Sequence, residues 1–102
     1  MELSNADKKR FRKIGHSLNP IVTIAQKGMT DNIRLEIERA LSDHELIKIK
    51  LLAADREEKK ALTTIICDEC NAECIQSIGH IILLFRAAKK PDERLSNLTR
   101  KL

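Results

Sequence analysis

Apolar positions along the chain recur at two periods, and the switches between them mark out seven elements. Leu3, Asp7, Phe11, Ile14 and Leu18 fall on one side at helical spacing, with Phe11 and Ile14 as anchors. Ser4 is a good N-cap for this first helix, and Asp7 in the first turn suits the helix dipole. Gly15 and Asn19-Pro20 end it, because proline restricts the residue before it. Ile21-Val22-Thr23-Ile24 is a β-branched run that predicts a buried strand, followed by a loop, Ala25-Gln26-Lys27-Gly28. Thr30 caps a second helix with a buried stripe of Ile33, Ile37, Ala40 and Leu41. Ile47, Ile49 and Leu51 alternate with Lys48 and Lys50, the period of a half-exposed strand. Asp55 caps a third helix with a stripe of Ala61, Leu62, Ile65 and Ile66, closed by Asn71-Ala72. Cys74–Ile78 forms a third strand. Gly79-His80 is a two-residue hairpin turn with glycine first, and Ile81–Phe85, apolar throughout, is a central fourth strand. In the tail, Leu95, Leu98 and Leu102 define a short amphipathic helix.

The order is therefore α-β-α-β-α-β-β. Strand–helix–strand units favour parallel neighbours, and the last two strands make an antiparallel hairpin. The expectation is an α/β fold, a single two-layer domain over residues 1–102 with a mixed four-stranded sheet, its core at about 3–90 and a basic tail at 87–102. A chain of 102 residues suits one domain. No apolar run approaches the roughly 18 residues needed to span a bilayer, and Met1-Glu2-Leu3-Ser4 does not open a secretory signal. The expected location is cytoplasmic, with no membrane contact.

Charge changes this picture by its placement. Residues 1–28 carry six basic side chains against two acidic ones, and residues 86–102 repeat that ratio, while the middle is net acidic. Basic ends around an acidic centre point to a polyanionic partner. Only 2% of the residues are aromatic, so a platform that stacks successive bases is not available. If the chain binds nucleic acid, backbone charge and shape must carry most of the affinity.

Cys67, Cys70 and Cys74 have the look of a partial metal motif, but a closed zinc site takes four ligands and no fourth cysteine exists. They are expected to be small, partly buried residues, with no metal and no disulfide framework. His44 and His80 belong to no catalytic motif; His16 closes the basic flank of the first helix, where it can donate to a phosphate. No nucleophile, acid–base pair or nucleotide loop is present, so neither an enzymatic activity nor a cofactor is expected. The Gln26-Lys27-Gly28 loop, between a strand and a helix N-terminus, suits an anion: backbone N–H groups and the dipole favour one there, and Gly28 permits close approach.

Several stretches in order resemble the CRM domain (chloroplast RNA splicing and ribosome maturation), above all its stand-alone bacterial members. They are Leu3-Ser4, Gly15-His16-Ser17-Leu18-Asn19-Pro20-Ile21-Val22, Lys27-Gly28-Met29-Thr30, Glu36–Leu41, His44-Glu45-Leu46-Ile47-Lys48-Ile49-Lys50 and Ile78–Arg86. The resemblance implies the same α-β-α-β-α-β-β fold and RNA binding through a basic first helix and a Gly-x-x-Gly loop like that of KH domains. It also implies association with precursors of the large ribosomal subunit. Carried over by position, the helix residues are Lys8, Lys9, Arg10, Arg12 and Lys13, and the loop is Ala25, Gln26, Lys27 and Gly28. Two positions depart from the family: Ala25 replaces the first loop glycine, and Phe85-Arg86 replaces Tyr-Arg. The first matters only if position 25 needs a positive φ or a very close backbone approach.

The leading expectation is a ribosome-assembly factor that binds ribosomal RNA in a pre-ribosomal particle. Lys8, Lys9, Arg12 and Lys13 would meet phosphates, Lys27 and Gly28 would hold a backbone segment, and Arg86 would extend the patch. The alternative is a protein-interaction module, docking a ribosomal protein or an assembly GTPase through the acidic middle and leucine-bearing tail.

Overall fold

The structure, a computed structural model, describes residues 3–25 and 28–100. Three helices and four strands follow the expected order: α1 (Asn5–His16), β1 (Pro20–Ile24), α2 (Asp31–His44), β2 (Leu46–Leu51), α3 (Arg56–Cys70), β3 (Glu73–Ile78) and β4 (Ile81–Phe85). The caps are those the sequence offers. Ser4 accepts from the Asp7 N–H while the Asp7 carboxylate accepts from the Ser4 N–H, a complete capping box. Thr30 accepts from Ile33 and Asp55 from Glu58.

The sheet has the order β1-β2-β4-β3. β1 and β2 are parallel, as the intervening α2 requires, and β2–β4 and β3–β4 are antiparallel. Alternation sends Ile47, Ile49, Leu51, Ile82 and Leu84 to one face, where Ile37, Ala40 and Leu41 of α2 and Ile66 and Cys70 of α3 complete a first core. Leu46 and Leu83 point to the opposite face and pack with Phe11 of α1, Leu18 and Ile75 in a second core. Phe85 stacks its ring on that of Phe11, centroids 4.6 Å apart, so at this position a ring is used for packing.

The α/β class, the element order and the mixed sheet are as expected. The layer count is not: α1 covers one face alone while α2 and α3 share the other, giving three layers instead of two. β1 is an edge strand, covered on one face only: Val22 and Ile24 are buried and Ile21 is 49% exposed. The uninterrupted β-branched run concealed that alternation. β2, expected to be half exposed, is central, with only Lys50 fully in solvent. The buried stripe of α3 is Leu62, Ile66 and Cys70, at i, i+4 and i+8, while Ala61 and Ile65 face outward. Among the described residues the tail forms turns and no helix; Leu98 joins the second core, Leu95 is 40% exposed, and Leu102 lies outside the described residues.

Gly15, expected as a helix stop, lies within α1 against the Leu83 side chain. A Cβ there would sit 2.6 Å from Leu83 Cδ2. The helix can seat on β4 only because this position has no side chain.

Candidate nucleic-acid interface

With about 100° per residue, Lys9, Arg12, Lys13 and His16 project on one side of α1, opposite Phe11 and Leu18. All four are exposed, and none pairs with a carboxylate among the described residues. Lys8 and Arg10 flank this stripe and are already engaged. Lys8 Nζ lies 3.7 Å from Glu73 Oε1 at the start of β3. The Arg10 guanidinium donates to Leu98 O at 3.0 Å and lies 5.9 Å from the centre of the Phe11 ring. The five cations expected on this helix thus divide into an open group and two that also hold the helix to its neighbours.

Of the expected loop, Gln26 and Lys27 lie outside the described residues. Its two ends are clear. The Gly28 N–H donates to Ala25 O at 2.9 Å, closing a four-residue turn. Gly28 has φ +75, the left-handed backbone that favours glycine, and open space where a Cβ would stand. Ala25 does not: the described non-glycine residues with positive φ are Glu45 and Asn71. Alanine therefore fills the first position of the turn without backbone strain.

β1 leads through the loop into α2, on the sheet face away from α1. Arg86 also lies on that far face. Its guanidinium donates to Glu38 Oε2 at 2.7 Å, Cys70 O at 2.9 Å, Glu38 O at 3.1 Å and Ser42 Oγ at 3.1 Å. It ties α2 to the last carbonyl of α3, and its hydrogen-bonding fork is occupied by protein groups.

The His44-Glu45 pair has a structural task that its sequence neighbours do not disclose. His44 Nδ1 lies 2.7 Å from Leu95 O, so that nitrogen carries the proton and donates. The buried Glu45 carboxylate accepts from the Ala88 N–H at 2.9 Å and the Ser96 hydroxyl at 2.8 Å. Asn97 donates to Leu46 O and, through its backbone, to His44 O. The basic tail is thereby bound across the start of β2 and beside α1.

Two cations were not connected to α1 by sequence reasoning. Since Ile47, Ile49 and Leu51 face α2 and α3, Lys48 and Lys50 point to the α1 side of the sheet. Lys50 is exposed there, opposite Thr23 on β1 and Ile81 on β4. Their alternation with the apolar residues marks them as sharing one face; which helix shares that face depends on the topology.

Comparison with known proteins adds four findings. Residues 3–86 match the family model described as the CRS1 / YhbY (CRM) domain. The chain is 43% identical over 100 residues to a Pseudomonas aeruginosa protein named "Probable RNA-binding protein", covering 98% of this chain and 96% of that one. It is 41% identical over 88 residues to an "RNA-binding protein" of Haemophilus influenzae, covering 86% and 89%. The solution structure of a Staphylococcus aureus protein superposes with a TM-score of 0.76 at 29% identity, over 87% of this chain and 93% of that one.

Proposed function

The chain belongs to the CRS1 / YhbY (CRM) domain family, and from that premise we propose that it binds structured RNA through the basic α1 side of the molecule and acts as an assembly factor on precursors of the large ribosomal subunit. The observation that carries this reading is the open stripe of Lys9, Arg12, Lys13 and His16, set opposite the buried face of α1 and free of carboxylate partners among the described residues. A helix surface so arranged presents several cations to phosphates without having to break an internal ion pair first. Lys50, on the same side of the sheet, and the Ala25–Gly28 turn extend the contact.

The RNA-binding names of the relatives support the partner class, and the scarcity of aromatics favours shape and backbone over base stacking. No helix among the described residues is long and apolar enough to cross a membrane.

The test is sedimentation of the native protein through a sucrose gradient at low and raised salt, beside a Lys9→Glu/Lys13→Glu variant. The expected result is comigration with large-subunit precursors that is lost as salt rises and is absent in the variant. Wild-type protein that stays at the top of the gradient at low salt overturns the assembly reading. In a direct binding assay, affinity falls with a log–log salt slope of about −1 per phosphate contacted; a salt-insensitive complex overturns the mechanism.

A further inference from the structure

A second basic surface lies where the first turns of α3 face the β3–β4 hairpin. The two elements enclose an open cleft of about 690 Å³ whose lining includes Arg56, Lys59, Lys60, Thr64, Ser77 and His80. At α-helical spacing Arg56, Lys59, Lys60 and Thr64 project to one side of α3. Leu62, Ile66 and Cys70 lie on the adjoining side and hold the helix on the sheet.

The charge in this cleft is unbalanced. None of Arg56, Lys59 and Lys60 has a carboxylate within ion-pair distance among the described residues. Asp55 is the acidic residue of the lining, and its Oδ1 is occupied as the helix cap, accepting from the Glu58 N–H at 2.8 Å. Glu58 is turned to the connector, where its Oε2 accepts from the Ala54 N–H. Lys59 donates to Gly79 O, which fixes its ammonium between the two walls. An open cleft with a positioned lysine, two further cations and adjacent hydroxyls is chemically suited to phosphate groups.

Its place in the fold connects it to the Ala25–Gly28 turn. The Leu51 N–H donates to His80 O at 2.7 Å and the Leu52 N–H to Ile24 O at 2.9 Å. The hairpin, the β2–α3 connector and the exit of β1 therefore meet at one end of the sheet. We propose that the α3–hairpin cleft is a second RNA-backbone site. It takes phosphates of the same RNA that α1 engages on the other face, so that the RNA passes round this end of the sheet. This rests on the RNA-binding reading above.

The test is binding of a structured ribosomal RNA fragment across a salt series by wild type, Arg56→Gln/Lys60→Gln, Lys9→Glu/Lys13→Glu, and an Arg39→Gln/Arg94→Gln control that removes the same charge at exposed positions elsewhere. Arg56 and Lys60 are exposed, and thermal melts verify that each variant keeps its fold. The cleft variant is expected to bind about tenfold or more weakly, with a slope flatter by about 2, while the control changes less than about threefold. A cleft variant no weaker than the control overturns the cleft and leaves the α1 reading in place. Wild type that does not bind the fragment at low salt overturns both.

Discussion

Ser96 and Glu45 meet in the interior although 51 positions separate them: the hydroxyl donates to Oε1 at 2.8 Å, and neither residue is more than 6% exposed. Glu45 also accepts from the Ala88 N–H and holds a φ of +61, uncommon for a residue with a side chain. One carboxylate thus fixes the tail at two points. Glu45→Ala removes both acceptors and is expected to cost about 2–4 kcal/mol, as the buried Ser96 hydroxyl and the part-buried Ala88 N–H lose their partner. The check is a urea melt combined with limited trypsin digestion. The tail sites at Lys89 and Arg94 should become cleavable well before the core; unchanged tail protection would mean that the packing of Leu98 alone holds the segment.

Arg86 is expected to act on stability and not on RNA. Its guanidinium donates to Glu38, Ser42 and the Cys70 carbonyl, so Arg86→Ala leaves the end of α3 and the Glu38 carboxylate without their donor. With the pair partly exposed, a loss of about 2 kcal/mol is expected. RNA affinity measured below the melting temperature should stay within about twofold of wild type. A tenfold loss of RNA binding with an unchanged melting temperature would reverse this assignment.

The seat of α1 gives a prediction of opposite sign to helix propensity. Gly15→Ala should stabilise an isolated helix by up to about 1 kcal/mol, yet its methyl would stand 2.6 Å from the buried Leu83. Overpacking is expected to win, with a net loss of about 1 kcal/mol, and Gly15→Val should cost about 3. In a double-mutant cycle, Leu83→Ala should remove most of the Gly15→Ala penalty. Additive losses would mean that the helix shifts as a body.

These cases show where sequence reasoning reached and where it stopped. The caps at Ser4, Thr30 and Asp55 and the stripe Ile33-Ile37-Ala40-Leu41 are local relationships, written within a turn or two of helix, and they were legible. The sides of the sheet were not. Nothing near Lys8 or Arg86 says that they end on opposite faces, because that depends on how α1 returns to β1 and on the crossover through α2. His44-Glu45 was legible as a motif and not as a clamp, since its partners lie about fifty residues away. The apolar run of β1 was misleading because burial on one face and on two can use the same β-branched residues.

The loop yields a paired prediction. Ala25 is not in the left-handed region and Gly28, at φ +75, is. Restoring the family's glycine with Ala25→Gly should therefore leave RNA affinity within about twofold while slightly lowering stability through the added freedom of the unfolded chain. Gly28→Ala has room for its methyl, so its cost is backbone strain alone, about 1 kcal/mol. Melting curves and RNA titrations of the two variants test this. A large affinity gain from Ala25→Gly would show that the bound loop adopts a different backbone.

The three thiols set an alkaline limit to stability. Burial is the first cause that raises each of them. Cys67 and Cys70 are pushed from 9.0 to about 11, with Cys74 and Asp68 adding to the effect at Cys67 and Glu38 at Cys70; Cys74 is raised as well. The folded state therefore keeps these protons at a pH where the unfolded chain has released them. Their contribution is complete below about pH 9 and is lost as the pH rises towards 11. Melting temperature is expected to fall across that window, and less steeply in a Cys67→Ala/Cys74→Ala variant, which keeps the fully buried Cys70 in place and avoids opening a cavity there. Lysine titration is common to both proteins and cancels in the difference. Near pH 7.5, where the folded thiols remain protonated, native protein should react slowly with a thiol reagent and unfolded protein quickly. Parallel melting curves from pH 8 to 10.5 for the two proteins would sink the assignment.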